Sequence, residues 1–161
     1  MFREMRRSRQ QLSEKESMEI LENGTAGVLA LSGDEDYPYA VPISYVYCGS
    51  RLYFHSAVSG HKIDAVQKSN KASFCVISQD HIVPEEYTSY YKSVIAFGRI
   101  RLLTEELEKR AAAELLAKKY HPADTPAGRS ATIGQAWPRM ALLELRIEHM
   151  TGKAARELIE K

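Results

Sequence analysis

The sequence predicts a mainly β fold. Six strands in mostly hairpin order form a small closed or partly open antiparallel barrel, with helices at its ends and between the last two strands. Three observations carry that expectation. Residues 39–48 and 140–150 alternate apolar and polar side chains, the period of a strand whose successive residues face opposite ways. Turn chemistry, Gly33-Asp34-Glu35-Asp36 and Cys48-Gly49-Ser50, falls between apolar runs. Helical composition is concentrated near 14–23, 62–68 and 104–120.

The elements follow in order. Residues 1–12 read as an arm, exposed or held by a partner. Ser13-Glu14-Lys15-Glu16 fits a capping box, in which Ser13 accepts from the backbone three residues on and Glu16 reaches back. The helix runs to about Asn23, and Gly24 is expected to stop it because glycine tolerates a left-handed conformation. Thr25 to Leu31 is short, apolar and rich in small residues, a buried strand. One strand is expected from Tyr39 to Cys48, with Pro42 marking an edge or bulge because proline cannot donate to a ladder. A hairpin turn leads into Arg51 to His55. A short helix, Lys62 to Lys68, precedes a strand at Lys71 to Ser78.

Gln79 to Tyr90 reads as a loop. Tyr91 to Leu103 is a long strand in which Gly98 signals a bulge or bend. Thr104 is expected to cap a helix over 104–120. His121 to Ser130 reads as a Pro/Gly/Ser loop, Met140 to Met150 as the last strand, and a short helix ends the chain. At 161 residues, positions 1–161 are expected to form one domain.

Composition narrows the function. Apolar residues make up 44% and charged residues 27%, as in a globular protein, and the net charge of +1 offers no general attraction to nucleic acid or to a membrane. No apolar run approaches the length of a membrane span. Met1-Phe2-Arg3-Glu4-Met5-Arg6-Arg7 is basic with no apolar segment behind it, so no secretory signal is expected. Cys48 and Cys75 lie in no CxxC or Cys/His cluster, which argues against a metal site and for free thiols in a cytoplasmic protein.

Tyr53-Phe54-His55-Ser56-Ala57-Val58-Ser59-Gly60-His61-Lys62 carries the most chemistry. It begins as a strand and delivers Ser56, Ser59, His61 and Lys62 to a helix N-terminus, where free N–H groups and the helix dipole favour an anion, a phosphate above all. A surface turn with a solvated lysine accounts for the same residues. His55 is either a proton-transfer group over a cofactor or a satisfied half-buried histidine. The many tyrosines suit barrel core and interface, or the wall of a planar ligand. Trp137 stands beside Pro138 in a polar loop, packed on the core or covering a ligand from a partner chain. No nucleophile elbow, dinucleotide-binding glycine motif or P-loop occurs, so a phosphate site here is of another type.

These strings resemble a known family when taken in order. Met5-Arg6-Arg7, Pro38-Tyr39-Ala40-Val41-Pro42-Ile43-Ser44-Tyr45, Tyr53-Phe54-His55-Ser56-Ala57, Gly60-His61-Lys62-Ile63-Asp64, Tyr91-Lys92-Ser93-Val94 with Gly98, and Thr151-Gly152-Lys153 are similar to the nitroimidazole-resistance (Nim-type) branch of the pyridoxamine 5′-phosphate oxidase-like, flavin-binding split-barrel proteins. The resemblance implies a six-stranded split β-barrel of Greek-key type. It implies a homodimer with FMN, or FAD, in the cleft between subunits.

By the same resemblance His61 and Lys62 hold the flavin phosphate. Ser56 and Ala57 contact the phosphate and ribityl chain, and Val41, Pro42, Ile43 and Ser44 lie along the ring. Tyr91 and Ser93 line the cofactor side, Trp137 reaches in from the second subunit, and His55 acts on the substrate side. The implied activity passes electrons from reduced flavin, with NAD(P)H as a possible donor, to a nitroaromatic or similar planar acceptor. The alternative is a non-catalytic flavin- or haem-binding protein of the same fold. The chain departs from the oxidases proper in having His61 where they use arginine. It also lacks their basic C-terminal set, which argues against pyridoxamine phosphate as substrate.

Overall fold

In the computed structural model, residues 1–159 are described. Helix α1 (Glu14–Asn23) starts on the expected capping box: the Glu16 N–H donates to Ser13 Oγ at 3.2 Å and the Ser13 N–H donates to Glu16 Oε2 at 2.8 Å. Gly24 ends it, but not in the left-handed region. Its backbone is extended (φ −69°, ψ 147°), and glycine is needed for space, because a Cβ there would overlap the Tyr45 hydroxyl.

Seven strands follow: β1 (Ala26–Ser32), β2 (Pro38–Ser44), β3 (Val46–Cys48), β4 (Arg51–Ala57), β5 (Lys71–Val83), β6 (Thr88–Leu102) and β7 (Met140–Ala154). They form one antiparallel sheet in the order β2-β1-β5-β6-β7-β4-β3. The expected count of six is therefore corrected to seven, because Tyr45 divides the single strand expected over 39–48. Its side chain is wholly buried, with the phenol donating to the Leu21 carbonyl at 2.7 Å. Its N–H donates to the Tyr120 hydroxyl at 2.9 Å instead of to a neighbouring strand. No ladder joins β2 to β3, so the sheet is not closed, yet its two edges meet at this one residue. Pro42 lies on an edge strand, where a missing donor costs no ladder bond.

Other expectations change as well. The loop expected over 79–90 is a long hairpin. β5 continues to Val83 past an irregularity between Ile77 and Gln79, turns at Pro84–Glu86 with Tyr87 left-handed (φ 51°), and returns as β6. Periodic burial is weak there because the strands extend beyond the core. Gly98 does mark a bulge: the β6–β7 register shifts between Phe97 and Gly98, and a Cβ at Gly98 would overlap the Arg146 carbonyl oxygen. α2 (His61–Lys68) matches expectation within a residue. α3 (Glu106–Tyr120) is preceded by Glu105 with no side-chain cap, so Thr104 does not cap it. The stretch read as a loop over 121–130 begins a further helix, α4 (Pro126–Ala136). Thr125 caps it by accepting the Gly128 N–H at 3.0 Å, and Pro126 occupies a first-turn position where its missing donor is harmless. The chain end forms a 3₁₀ turn over Arg156–Leu158.

The sheet curls around a core that includes Leu29, Phe54, Phe74, Val94, Leu143 and Leu145, all wholly buried. A second apolar cluster lies between the other face of β4 and β7 and the helices α3 and α4, with Leu116, Ile133 and Leu142 at its centre. Much of the rest of the outward face is only partly covered. Pro42, Val28, Cys75, Ile95 and Thr151 align in one row across β2, β1, β5, β6 and β7. The N-terminal arm is partly docked: the Leu12 N–H donates to the Gly152 carbonyl at 3.0 Å, and the Phe2 ring stacks on His149 at 4.7 Å. Among the described residues no helix is long and apolar enough to cross a membrane, and no group of three or more His, Cys, Asp or Glu could hold a metal ion.

Candidate functional site

β4 carries the chain out of the core to Ala57, and Gly60 turns it into α2 with φ +125°, a backbone region that side chains rarely adopt. The N–H groups of Ile63 and Asp64 both donate to the Gly60 carbonyl, at 2.9 and 3.1 Å. Among the described residues those of His61 and Lys62 have no backbone acceptor, so α2 presents free donors and the positive end of its dipole. Lys62 is half-buried, and burial pushes its ammonium below the ordinary lysine value. It makes no ion pair or hydrogen bond among the described residues. Asp64, in the same first turn, is the nearest acid in sequence.

His61 is directed elsewhere. Its ring stacks on Tyr39 with centroids 4.0 Å apart and planes 20° from parallel, and its Nε2 lies 3.8 Å from Asp34 Oδ2. The two neighbours expected to act together thus divide: the Lys62 cation is unpaired, while the imidazole of His61 is engaged within the chain.

The residues expected along the ring also separate by strand alternation. Val41 and Ile43 pack against the main core. Pro42 faces outward in the apolar row. Ser93, two residues before Ile95 on β6, shares that outward face, as does Tyr91, whose ring lies under the Lys153 ammonium at 5.5 Å. Ser56 is paired with Ala141 of β7 and half-buried, and Ala57 is exposed at the strand end.

His55 and Ser44 come together. Both line an open cavity of about 340 Å³ bordered by α3, α4 and the start of β7, and the His55 side chain is exposed at it. His55 lies opposite Leu142 in the β4–β7 ladder, which turns it toward the helices. Trp137 follows α4 directly, packs against the same apolar cluster, and carries the Lys109 ammonium 4.7 Å above its ring. The cavity wall contributed by Leu116, Ile133 and Met140 was not foreseen. A four-residue spacing within the expected α3 was the available signal, whereas the helix that supplies Ile133 was hidden behind Pro126, Gly128 and Gly134.

The chain alone therefore presents three surfaces: a cationic helix end at Lys62, an outward sheet face with Pro42, Tyr91 and Ser93, and an apolar cavity that holds His55. The first suits an anion, the second a flat apolar partner, and the third a small molecule that meets one proton-bearing imidazole.

Comparison with known proteins agrees with this architecture. The family described as pyridoxamine 5′-phosphate oxidase matches residues 13–154. An uncharacterized protein of Rhizobium meliloti (strain 1021) is 34% identical over 94 residues, 57% of this chain and 56% of the relative, so the chain spans a little over half of that relative's length. Among solved structures, a candidate 5-nitroimidazole antibiotic resistance protein of Bacteroides thetaiotaomicron superposes with a TM-score of 0.76 at 21% identity, covering 89% of this chain and 86% of that one. The FAD and haem binding protein of Mycobacterium smegmatis superposes with a TM-score of 0.70 at 19% identity, covering 91% of this chain and 73% of its own.

Proposed function

The chain belongs to the pyridoxamine 5′-phosphate oxidase family, and from that premise we propose that it is a flavoprotein of the Nim type, reducing a small nitroaromatic or similar planar acceptor. The observation that carries the reading is Lys62. A half-buried ammonium without a counter-charge, beside free N–H groups at a helix start, is left unsatisfied by the chain itself and fits a phosphate. FMN supplies that phosphate, and FAD would present the same chemistry through its diphosphate.

In this reading Lys62 and the backbone N–H groups of His61 and Lys62 hold the phosphate. The His61 ring braces the turn against Tyr39. Ser56 and Ala57 lie along the sugar-like chain, and the β2 backbone at Val41, Pro42, Ile43 and Ser44 orients the ring. Tyr91 and Ser93 face the cofactor from the outward sheet, and Trp137 closes the helical side. When bound, a flavin reduced by NAD(P)H would supply a hydride, two electrons and one proton, and reduction of a nitro group to nitroso and water needs one further proton. His55 hydrogen-bonds the acceptor and passes it a proton.

The cleft is assigned to a homodimer, as the family resemblance implies. Val28 and Ile95, each 39% exposed in the outward row, supply an apolar face for a second copy. Two free cysteines suit a reducing cytoplasm. Thr151-Gly152-Lys153-Ala154-Ala155 is paired into or against the sheet instead of offering a basic cluster, which disfavours a phosphorylated pyridoxamine substrate.

The test is the absorption spectrum of the purified homodimer, followed by identification of the released cofactor and by NAD(P)H oxidation with and without a 5-nitroimidazole. Flavin bands and acceptor-dependent turnover are expected. A protein that stays colourless after FMN and FAD are added would refute the proposal. The Mycobacterium smegmatis neighbour favours haem in the same fold as a second reading, and a Soret band in place of flavin bands would select it.

A further inference from the structure

We propose that the cavity of about 340 Å³ between β4 and the α3–α4 pair is the acceptor site, and that it admits a small, neutral, largely apolar aromatic molecule with its polar end at His55. The inference rests on the flavin reading for its place in a reaction, but the cavity's own chemistry defines the ligand. Its walls are Ala113, Leu116, Ala117, Ile133, Ala136 and Met140. Among the described residues no Asp, Glu, Lys or Arg lines it.

Its polar groups are few. Tyr120 borders the cavity, but its hydroxyl accepts the Tyr45 N–H at 2.9 Å and lies 2.7 Å from the Tyr45 carbonyl oxygen, so it is committed to the backbone. That leaves His55, Ser44 and Thr132 to meet a ligand. An anion carried against these apolar walls would lose part of its water and gain no fixed cation, whereas a neutral ring loses little.

Size and continuity point the same way. The volume is at the low end for small-molecule sites, room for one or two substituted rings. The space exists because α3 and α4 turn alanines toward it, Ala113 and Ala117 from one helix and Ala136 from the other. Ser44 also belongs to the strand assigned to the flavin ring and His55 to the strand assigned to its sugar-like chain, so a molecule in the cavity would sit next to the flavin with a reducible group near the imidazole.

Equilibrium dialysis of the flavin-loaded and the flavin-free protein against nitrobenzene and against 4-nitrobenzoate tests the proposal. The neutral probe is expected to bind at least about ten-fold more tightly than the charged one. Ala117→Phe, which fills the cavity from a partly exposed helix position, should weaken nitrobenzene binding by about ten-fold while the flavin titration is unchanged. Equal binding of the two probes, or full nitrobenzene affinity in a folded Ala117→Phe protein, overturns the assignment. If that variant fails to fold, the comparison of probes on the unaltered protein decides alone. Nitrobenzene selectivity without flavin binding would remove the cofactor reading and leave the cavity assignment standing. Flavin binding without selectivity would do the reverse.

Discussion

Replacing Lys62 by alanine gives the sharpest test of the phosphate grip. A lysine and a phosphate about 4 Å apart, at an effective dielectric constant near 20, attract by about 4 kcal/mol, which is an upper bound. Lys62 is only half-buried, so water and salt reduce that figure. Charge-assisted hydrogen bonds contribute about 1.5–3 kcal/mol net, and partial exposure selects the lower half, about 2 kcal/mol. That corresponds to a Kd for FMN raised about 30-fold.

Riboflavin carries the same ring without the phosphate. Its affinity should change less than about two-fold in the variant, because the lost charge has nothing to pair with. The assay is titration of flavin fluorescence with wild-type and variant protein. If Lys62→Ala weakens riboflavin as much as FMN, or leaves FMN unchanged, the phosphate is not at α2. A pH series adds a second check. Burial lowers the Lys62 ammonium, so FMN affinity should begin to fall below the pH at which an ordinary lysine titrates, and Lys62→Arg should abolish that fall because guanidinium stays charged. For the flavin-free protein the sign is opposite: between the lowered and the ordinary value the unfolded chain holds more protons, so stability rises slightly with pH.

Other outcomes follow from the same geometry. Gly98→Ala forces a Cβ into the Arg146 carbonyl and should cost about 3 kcal/mol in urea unfolding; a loss under about 1 kcal/mol would mean that the bulge relaxes freely. Tyr120→Phe strips the Tyr45 N–H of its acceptor and should cost about 1–2 kcal/mol, with Tyr37→Phe, on an exposed ring, as the silent control. Ile95→Lys on the outward row should convert a dimer to a monomer by sedimentation equilibrium; an intact dimer would place the interface elsewhere. His55→Gln should lower turnover of a nitroimidazole about 100-fold at unchanged flavin content if the imidazole delivers the proton, and an unaltered kcat would remove that role.

What the sequence revealed depended on how local each cause was. The capping box at Ser13, the edge position of Pro42 and the bulge at Gly98 are dictated within a few residues of the chain or by one residue's own geometry, and they were legible. Tyr45 looked like any alternating strand residue, because the partner that takes its N–H lies 75 residues away. The hairpin over 79–90 lacked apolar alternation because it projects past the core, and α4 was masked by the proline that starts it and the glycines within it. For the candidate site, Lys62 was recognisable from a strand running into a glycine and a helix. The separation of His61 from it was not, since the stacking partner Tyr39 comes from a different strand. The apolar wall around His55 is a product of tertiary packing alone.

The joint at Tyr45 has a consequence for motion. α3 is fastened to the place where the two sheet edges meet, through the Tyr120 hydroxyl and through Lys119, whose ammonium donates to the Gly24 carbonyl and lies 4.2 Å over the Tyr45 ring. Lifting the helical roof from the cavity therefore uncovers a single amide in the middle of a buried seam. Hydrogen–deuterium exchange at the Tyr45 N–H becomes a clock for roof opening: slowed by a molecule lodged beneath α3, and quickened in Tyr120→Phe while the amides of β5 and β6 keep their protection.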